Sequence, residues 1–136
     1  MNGTRVPAVL LHGALRSSVG LWPTAAYLRR RGVDARPFGY TTRKGGLLDH
    51  ARALDRFITT SFAEAPPVLG FVTHSMGALV VRTWLGLLDA EARGQRQRTV
   101  MLSPPNRGSS LAERNRARAL MRVLYGDAVA ELRSQH

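Results

Sequence analysis

The sequence predicts a single α/β domain, residues 1–136, in which a parallel sheet of about four strands is flanked by helices. Two observations support this fold class. Short apolar runs without polar alternation recur along the chain, which is typical of strands buried on both faces. Segments with helical apolar spacing separate these runs. Such a strand and helix alternation favours parallel pairing through right-handed crossovers.

The predicted strands share a compact apolar core bounded by glycine, proline or polar residues. They are PAVLLH (7–12), VDARPFGY (33–40), VLGFVT (68–73) and TVMLS (99–103). The basic stretch RGQRQR (93–98) is predicted to be the loop that precedes the last of them.

The predicted helices carry apolar residues three and four positions apart, and glycine or proline ends the first two. They run from about Val19 to Arg31, from Gly46 to the Pro66-Pro67 pair, from Met76 to about Glu91, and from about Leu111 onward. The third is apolar almost all round, which indicates burial.

Composition narrows the class of protein. Cysteine is absent, which excludes disulfides, thiolate metal sites and a cysteine nucleophile. No two histidines have metal-ligand spacing, so we expect neither a metal nor a cofactor. No apolar run reaches membrane-spanning length without a charge such as Arg82, and the N-terminus lacks a secretory apolar core. The default expectation is a cytoplasmic protein.

The net charge of +11 raises the question of an anionic partner. Arg114, Arg118 and Arg122 recur at four-residue spacing on one predicted helix face, which permits weak contact with an anionic membrane. A solvated arginine face is the alternative, and it is the one we favour. No nucleic-acid partner is expected, because neither aromatic interleaving nor a nucleic-acid motif accompanies the charge.

The stretch THSMG joins the third strand to the third helix within about two residues. So sharp a turn forces Ser75 into a strained, positive-φ conformation and lifts its hydroxyl clear of the sheet. Gly77 lets the helix begin close to the strand, and the amide of Met76 lies where a developing negative charge would meet it. The pattern predicts a nucleophilic serine.

The motifs HGALRSS, THSMG and LSPPNRGS, in this order and each at a strand end, resemble those of the α/β-hydrolase family. The resemblance is to its small bacterial lipases and esterases and their inositol-deacylase-like relatives, and it covers almost the whole chain. It implies that Ser75 is the catalytic nucleophile and that the amides of Ala14 and Met76 form an oxyanion hole. His12 and Gly13 would open the oxyanion loop, with His74 and Gly77 supporting the turn around the serine.

The chain departs from the family pattern in two respects. Thr73 stands where the first glycine of the serine motif belongs. The two later strands that carry the family's acid and histidine are not evident, so the sequence is expected to form an incomplete, N-terminal part of the fold. Asp127 and His136 keep the chain order of the triad and are weak candidates for its acid and base. His50 is expected to be solvent-exposed.

These motifs predict a serine hydrolase of carboxylic esters that acts through a covalent acyl-enzyme, on a small-molecule or lipid substrate. The alternatives are an inactive remnant or interaction module, and a basic protein that binds lipid headgroups. Trp22, Tyr40 and Trp84 either line a pocket or belong to the core. Because the last predicted strand would have an open apolar edge, we also expect self-association, poor ester turnover by the chain alone, and a gain when a downstream segment is restored.

Overall fold

The computed structural model of the protein describes residues 5–62, 64, 66–88 and 96–104. Its elements are β1 (Val6–Leu11), a 3-10 helix (Ser18–Leu21), α1 (Trp22–Arg29), β2 (Val33–Phe38), α2 (Leu47–Ser61), β3 (Val68–His74), α3 (Met76–Leu87) and β4 (Arg96–Leu102). No helix within these ranges is long and apolar enough to cross a membrane.

The four strands form one parallel sheet in the order β2-β1-β3-β4. In β1, one of the two inner strands, Ala8 lies opposite Ala35 of β2 on one side and Gly70 of β3 on the other. Because all four strands run in the same direction, their carboxyl ends meet at one edge of the sheet. This confirms the predicted fold class and places the ends of β1, β3 and β4, where the three motifs begin, at that edge.

Both faces of β1 are buried. Val9 and Leu11 belong to the larger core cluster, which contains residues of α2 and α3, whereas Leu10 packs with Ala25 of α1 and Ala35 of β2. Helices therefore cover the two faces of the sheet, as the continuous apolar run in β1 predicts.

The two helices on the larger face are also linked by a polar contact. The Trp84 indole Nε1 of α3 donates a hydrogen bond to the Asp55 carboxylate of α2 at 2.9 Å. Trp84 is buried, so the carboxylate satisfies an N–H that would otherwise be costly to bury. Of the aromatic residues that the sequence left open, Trp84 belongs to the core.

Several boundaries differ from the sequence prediction. β2 ends at Phe38, before the predicted Tyr40, and α2 ends at Ser61, before the Pro66-Pro67 pair. β4 begins at Arg96, inside the stretch predicted to be a loop, because Arg96 already pairs with Val68 of β3. The helix expected from Val19 is split into the 3-10 helix and α1. α3 ends at Leu87 because Leu88 has extended backbone angles. The helix predicted from Leu111 lies outside the described residues.

The expectation that His50 is exposed is wrong. Only 4% of its surface is accessible, and its ring lies 5.0 Å from that of Tyr40. The buried face of α2 runs Leu47, His50, Ala51, Leu54 and Ile58. His50 therefore occupies a core position of the helical repeat, and this periodicity outweighs the charged residues that flank it.

One side of β4 is uncovered within the described part of the chain. Val100 and Leu102 are 58% and 52% exposed. Val100 lies in register with Val72 of β3, and Val72 in turn with Leu10 of β1. Leu10 and Val72 belong to the cluster under α1, so the exposed side chains face the same side of the sheet as α1. They form an apolar patch at its edge.

The start of α3 approaches β1 more closely than any side chain would allow. A Cβ placed on Gly77 would lie 2.8 Å from the Cβ of Leu11 and 3.1 Å from its carbonyl oxygen. Contacts this short to strand backbone cannot be relieved by rotating a side chain. Glycine at position 77 is therefore required for the helix to begin where it does.

We expect Gly77→Val to lower the free energy of unfolding by about 3 kcal/mol, because the added side chain must push α3 away from β1. Gly86→Val is the matched control in the same helix, since a Cβ there meets no heavy atom within 4 Å. Urea denaturation of both variants measures the difference. Equal stabilities would show that the close approach is not a constraint.

Candidate functional site

Ser75 stands alone between the last residue of β3 and the first residue of α3. Its backbone has φ 49° and ψ −118°, an unfavourable conformation for a residue with a side chain. Its amide donates to the carbonyl of Leu102 in β4 at 2.9 Å, and its carbonyl accepts from the amide of Ala78 at 3.1 Å. The sheet and the helix thus hold the strained residue from both sides, with the geometry that THSMG predicts.

Gly13 brings the segment after β1 against this turn. A Cβ on Gly13 would lie 2.7 Å from Nδ1 of His74 and 3.3 Å from the Cβ of Ser75. The first contact is too short for any side chain to be accepted without movement. The structure therefore brings together two motifs, His-Gly and Ser-Met-Gly, that are distant in the sequence.

The two residues predicted to supply oxyanion donors lie on either side of this contact. Met76 is the first residue of α3 and is buried. An amide in the first turn of a helix has no intrahelical acceptor, and the helix dipole adds partial positive charge there. Ala14 follows Gly13 in the loop and packs against the larger core cluster.

Thr73 shows how the chain accommodates a larger residue where the family has glycine. It is 1% exposed, and its Oγ1 lies 3.5 Å from the carbonyl oxygen of Val100 in the adjacent strand. The hydroxyl therefore lies on the side of Thr73 that faces β4. The departure is accommodated without displacing Ser75 from the end of β3.

His12 has both ring nitrogens engaged. Nδ1 lies 2.8 Å from the Gly13 carbonyl oxygen, and Nε2 lies 3.3 Å from the Tyr40 amide. A carbonyl can only accept and an amide can only donate, so the proton is assigned to Nδ1 and the ring is neutral. His12 is thus committed to the loop and is not available as a base.

A cleft of about 600 Å³ opens beside Ser75 at the carboxyl edge of the sheet. Ser75 does not itself line the cleft, but it follows His74 in the chain and donates its amide to Leu102, and both of these residues do. The remaining walls are the end of β1 and the segment that leads to α1: His12, Gly13, Leu15, Arg16, Ser17, Gly20 and Leu21. Among the described residues of these walls, Leu15, Leu21 and Leu102 are leucines, and the exposed Arg16 is the one lysine or arginine.

Tyr40 and Thr42 are residues near the site whose roles sequence reasoning missed. Tyr40 follows β2 and donates its hydroxyl to the carbonyl of His12 at 2.7 Å, and the Thr42 hydroxyl accepts from the Leu15 amide at 3.1 Å. Burial raises the pKa of Tyr40 well above its usual range, so the hydroxyl stays protonated. The sequence did hold one indication of this contact: GYTT (39–42) follows β2, and His-Gly follows β1, the neighbouring strand of the sheet.

Several residues singled out in the sequence lie outside the part of the chain that the structure describes. Asp127 and His136 lie outside the described residues, as do Arg114, Arg118 and Arg122 and most of LSPPNRGS. Trp22 is half-exposed on α1, with the Arg29 guanidinium 5.1 Å from its ring centre. Within the ranges the structure describes, no group of three or more histidine, aspartate or glutamate side chains is arranged to hold a metal ion.

Comparison of coordinates shows which known folds the chain shares. A lipase from Bacillus licheniformis, BlEst2 in its mature form, matches with a TM-score of 0.67 at 24% identity, over 96% of this chain and 56% of that one. The phospholipase PlaB from Legionella pneumophila matches with a TM-score of 0.67 at 24% identity, over 87% and 29% of the two chains. An extracellular α/β-hydrolase from a Paenibacillus species has a TM-score of 0.57 at 19% identity, over 79% and 45%.

No protein-family model matches the sequence, and no curated protein matches it significantly. The four-stranded parallel sheet with its flanking helices has the fold of the α/β-hydrolases. The chain spans between about a third and a little over half of the length of these solved proteins, so it corresponds to part of that fold.

We expect the pKa of Tyr40 to make stability fall at high pH. Unfolded tyrosine ionises near pH 10, whereas the buried Tyr40 keeps its proton beyond that. Above about pH 10 the folded state therefore binds more protons than the unfolded state, and stability declines by up to about 1.4 kcal/mol per pH unit. Below pH 10 this contribution is fully present.

Chemical denaturation between about pH 8 and pH 11.5 measures the slope. Tyr40→Phe should flatten the decline, and Tyr27→Phe, which alters an exposed tyrosine on α1, should leave it unchanged. Identical slopes in both variants would contradict the assignment to Tyr40.

Proposed function

We propose that the protein is a serine hydrolase of carboxylic esters, of the lipase or esterase type, with Ser75 as the nucleophile. The main support is the contact between Gly13 and the strained turn at Ser75. It sets a serine at a helix N-terminus beside the loop that carries the Ala14 amide, and two backbone donors in such an arrangement stabilise the charge of a tetrahedral intermediate. The lipases and hydrolases of similar fold are consistent with this chemistry.

The reaction follows from this arrangement in two halves. Ser75 Oγ attacks the ester carbonyl carbon and gives its proton to a general base, and the carbonyl oxygen becomes an oxyanion held by the Ala14 and Met76 amides. The intermediate collapses with loss of the alcohol, which takes up that proton, and leaves an acyl-enzyme. Water then attacks the acyl group, releasing the carboxylic acid and regenerating Ser75.

The base and its partner acid are not assigned within the described residues. His12 is neutral and committed to the loop, and His50 is buried against Tyr40. His74 lines the cleft, but its Nδ1 faces Gly13. Asp127 and His136 remain the candidates that this chain offers. Without a base the hydroxyl is a weak nucleophile, so ester turnover by this chain is expected to be slow.

The cleft supports an apolar acyl group as the part of the substrate that it receives. Leu15, Leu21 and Leu102 supply apolar walls, and both Leu15 and Leu102 are about half-exposed. Such surface gains free energy when an acyl chain covers it. The two solved proteins of similar fold that are named a lipase and a phospholipase support an ester or lipid substrate for this protein.

We also propose that the chain self-associates through β4, with a second copy as the partner. β4 is an edge strand of the described sheet, and it carries the apolar patch of Val100 and Leu102. Exposed apolar side chains on an edge strand favour pairing with a strand of another chain.

We expect a fluorophosphonate probe to label the protein at Ser75. Ser75→Ala should reduce labelling to background, because it removes the Oγ atom that the probe phosphonylates. The far-UV circular dichroism should stay unchanged. Ser17→Ala is the matched control, since Ser17 is an exposed serine in the wall of the same cleft. Labelling of Ser75→Ala at the wild-type rate would remove this residue from the nucleophile role.

Light scattering tests the proposed self-association. The wild-type chain should have a mass above that of a monomer, and the double variant Val100→Gln/Leu102→Gln should move toward the monomer because it removes the apolar patch. Val19→Gln, which changes a 70% exposed apolar residue on the 3-10 helix, should leave the mass unchanged. A stable wild-type monomer would disprove the proposal.

A further inference from the structure

The segment after β2 contacts the loop after β1 at two points that flank the predicted oxyanion donor. β2 and β1 are neighbours in the sheet, and Leu11 pairs with Phe38 at their carboxyl ends. The chain therefore continues past both strands at the same edge. Tyr40 contacts His12 before the donor, and Thr42 contacts Leu15 after it.

The first point of contact involves three interactions between the same two residues. The Tyr40 hydroxyl donates to the His12 carbonyl at 2.7 Å, and the Tyr40 amide donates to Nε2 of His12 at 3.3 Å. The two rings stack with centroids 4.3 Å apart and planes 19° apart. His12 is thus held by its backbone, by a ring nitrogen and by its ring face.

Packing holds the Tyr40 ring in turn. Phe38 stacks on it at 5.4 Å, and His50 of α2 contacts it at 5.0 Å. A ring enclosed in this way has few alternative rotamers, so its hydroxyl keeps a defined position. Because burial raises the pKa of Tyr40, the hydroxyl also remains a donor throughout the neutral range.

The second point of contact maintains an unfavourable backbone conformation. Leu15 has φ 58°, a region that side chains other than those of asparagine and aspartate seldom occupy. Its amide donates to Oγ1 of Thr42 at 3.1 Å, and Thr42 is only 4% exposed. Exposed Leu15 has little packing of its own to retain that conformation. The buried hydroxyl of Thr42 supplies a specific contact that does.

We propose that Tyr40 and Thr42 are positioning residues that hold the backbone of residues 12–15 against Ser75, an inference that rests on the proposed oxyanion role of the Ala14 amide. The two contacts lie on either side of Gly13 and Ala14, so neither end of this dipeptide can rotate independently. A donor held in place before reaction stabilises an oxyanion without the cost of reorganisation. Tyr40 and Thr42 touch no reacting atom.

The test uses two measurements on the intact chain. The first is the second-order rate of labelling by a fluorophosphonate probe. The second is hydrogen exchange of the individual amides of residues 13–16, measured by NMR, which does not depend on activity. Tyr40→Phe removes the hydroxyl and keeps the ring, and Thr42→Val removes the acceptor and keeps the shape.

Each variant should slow labelling about five- to tenfold, the effect of losing one hydrogen bond that orients a donor. Each should also speed exchange of the loop amides by a similar factor, with the Leu15 amide most affected in Thr42→Val. Exchange of the β3 amides should stay at the wild-type rate. Thr42→Ser keeps the hydroxyl and should restore both measurements.

Matched controls lie elsewhere on the chain. Tyr27→Phe changes an exposed tyrosine of α1, and Thr41→Val changes the exposed neighbour of Thr42. Both should behave as the wild type in labelling and in loop exchange.

The outcomes separate this inference from the function on which it rests. If the wild-type chain is not labelled at Ser75, the proposed function fails, and loop exchange alone then decides whether Tyr40 and Thr42 hold the loop. If the wild type is labelled and both variants match it in rate and loop exchange, the positioning role is overturned. If loop and β3 amides exchange faster together, the residues only stabilise the fold, and the positioning role is likewise overturned.

Discussion

The close approach of α3 to β1 at Gly77 is the constraint on which the site depends. Because no side chain intervenes, only one residue separates β3 from α3, and Ser75 must make the whole change of direction. Its positive φ is the result. A bulkier residue at position 77 would lengthen the turn, relax Ser75 and withdraw the first amides of α3 from the loop at Gly13. Steric exclusion at one glycine thus determines the geometry of the Ser75 turn, the start of α3 and their approach to the loop at Gly13.

Backbone strain in the described chain is concentrated at the carboxyl edge of the sheet. Its non-glycine residues with positive φ are Leu15, Ser75 and Ser103, which follow β1, β3 and β4. Each position costs conformational free energy that regular packing must offset, and such residues persist only where their surroundings hold them. Hydrogen bonds supply that support at Leu15, from Thr42, and at Ser75, from Leu102 and Ala78. The sheet below provides a rigid platform, and the strain is confined to the loops above it.

Fold class was predictable because burial leaves a direct mark on sequence: β1 is apolar without alternation, and α2 repeats every three to four residues. Ser75 and Gly77 were predictable because a sharp turn demands one strained and one small residue. The start of β4 could not be predicted. Arg96 joins the strand because it pairs with Val68 of β3, and the basic residues around it carry no sign of that pairing. Tyr40 and Thr42 contact backbone atoms of His12 and Leu15, and a backbone partner leaves no trace in side-chain composition.

The parallel order of the sheet has a kinetic consequence. β1 and β3 are neighbours in space, but α1, β2 and α2 lie between them in the chain. Their pairing requires closure of a long loop. This step is slow, because the chain loses conformational entropy before the contacts between the strands stabilise it. Gly13 and Ser75 meet only through that pairing, so local structure alone cannot assemble any part of the site. Refolding should therefore restore secondary structure before Ser75 can react with a fluorophosphonate probe. Partly folded chains should not react with the probe.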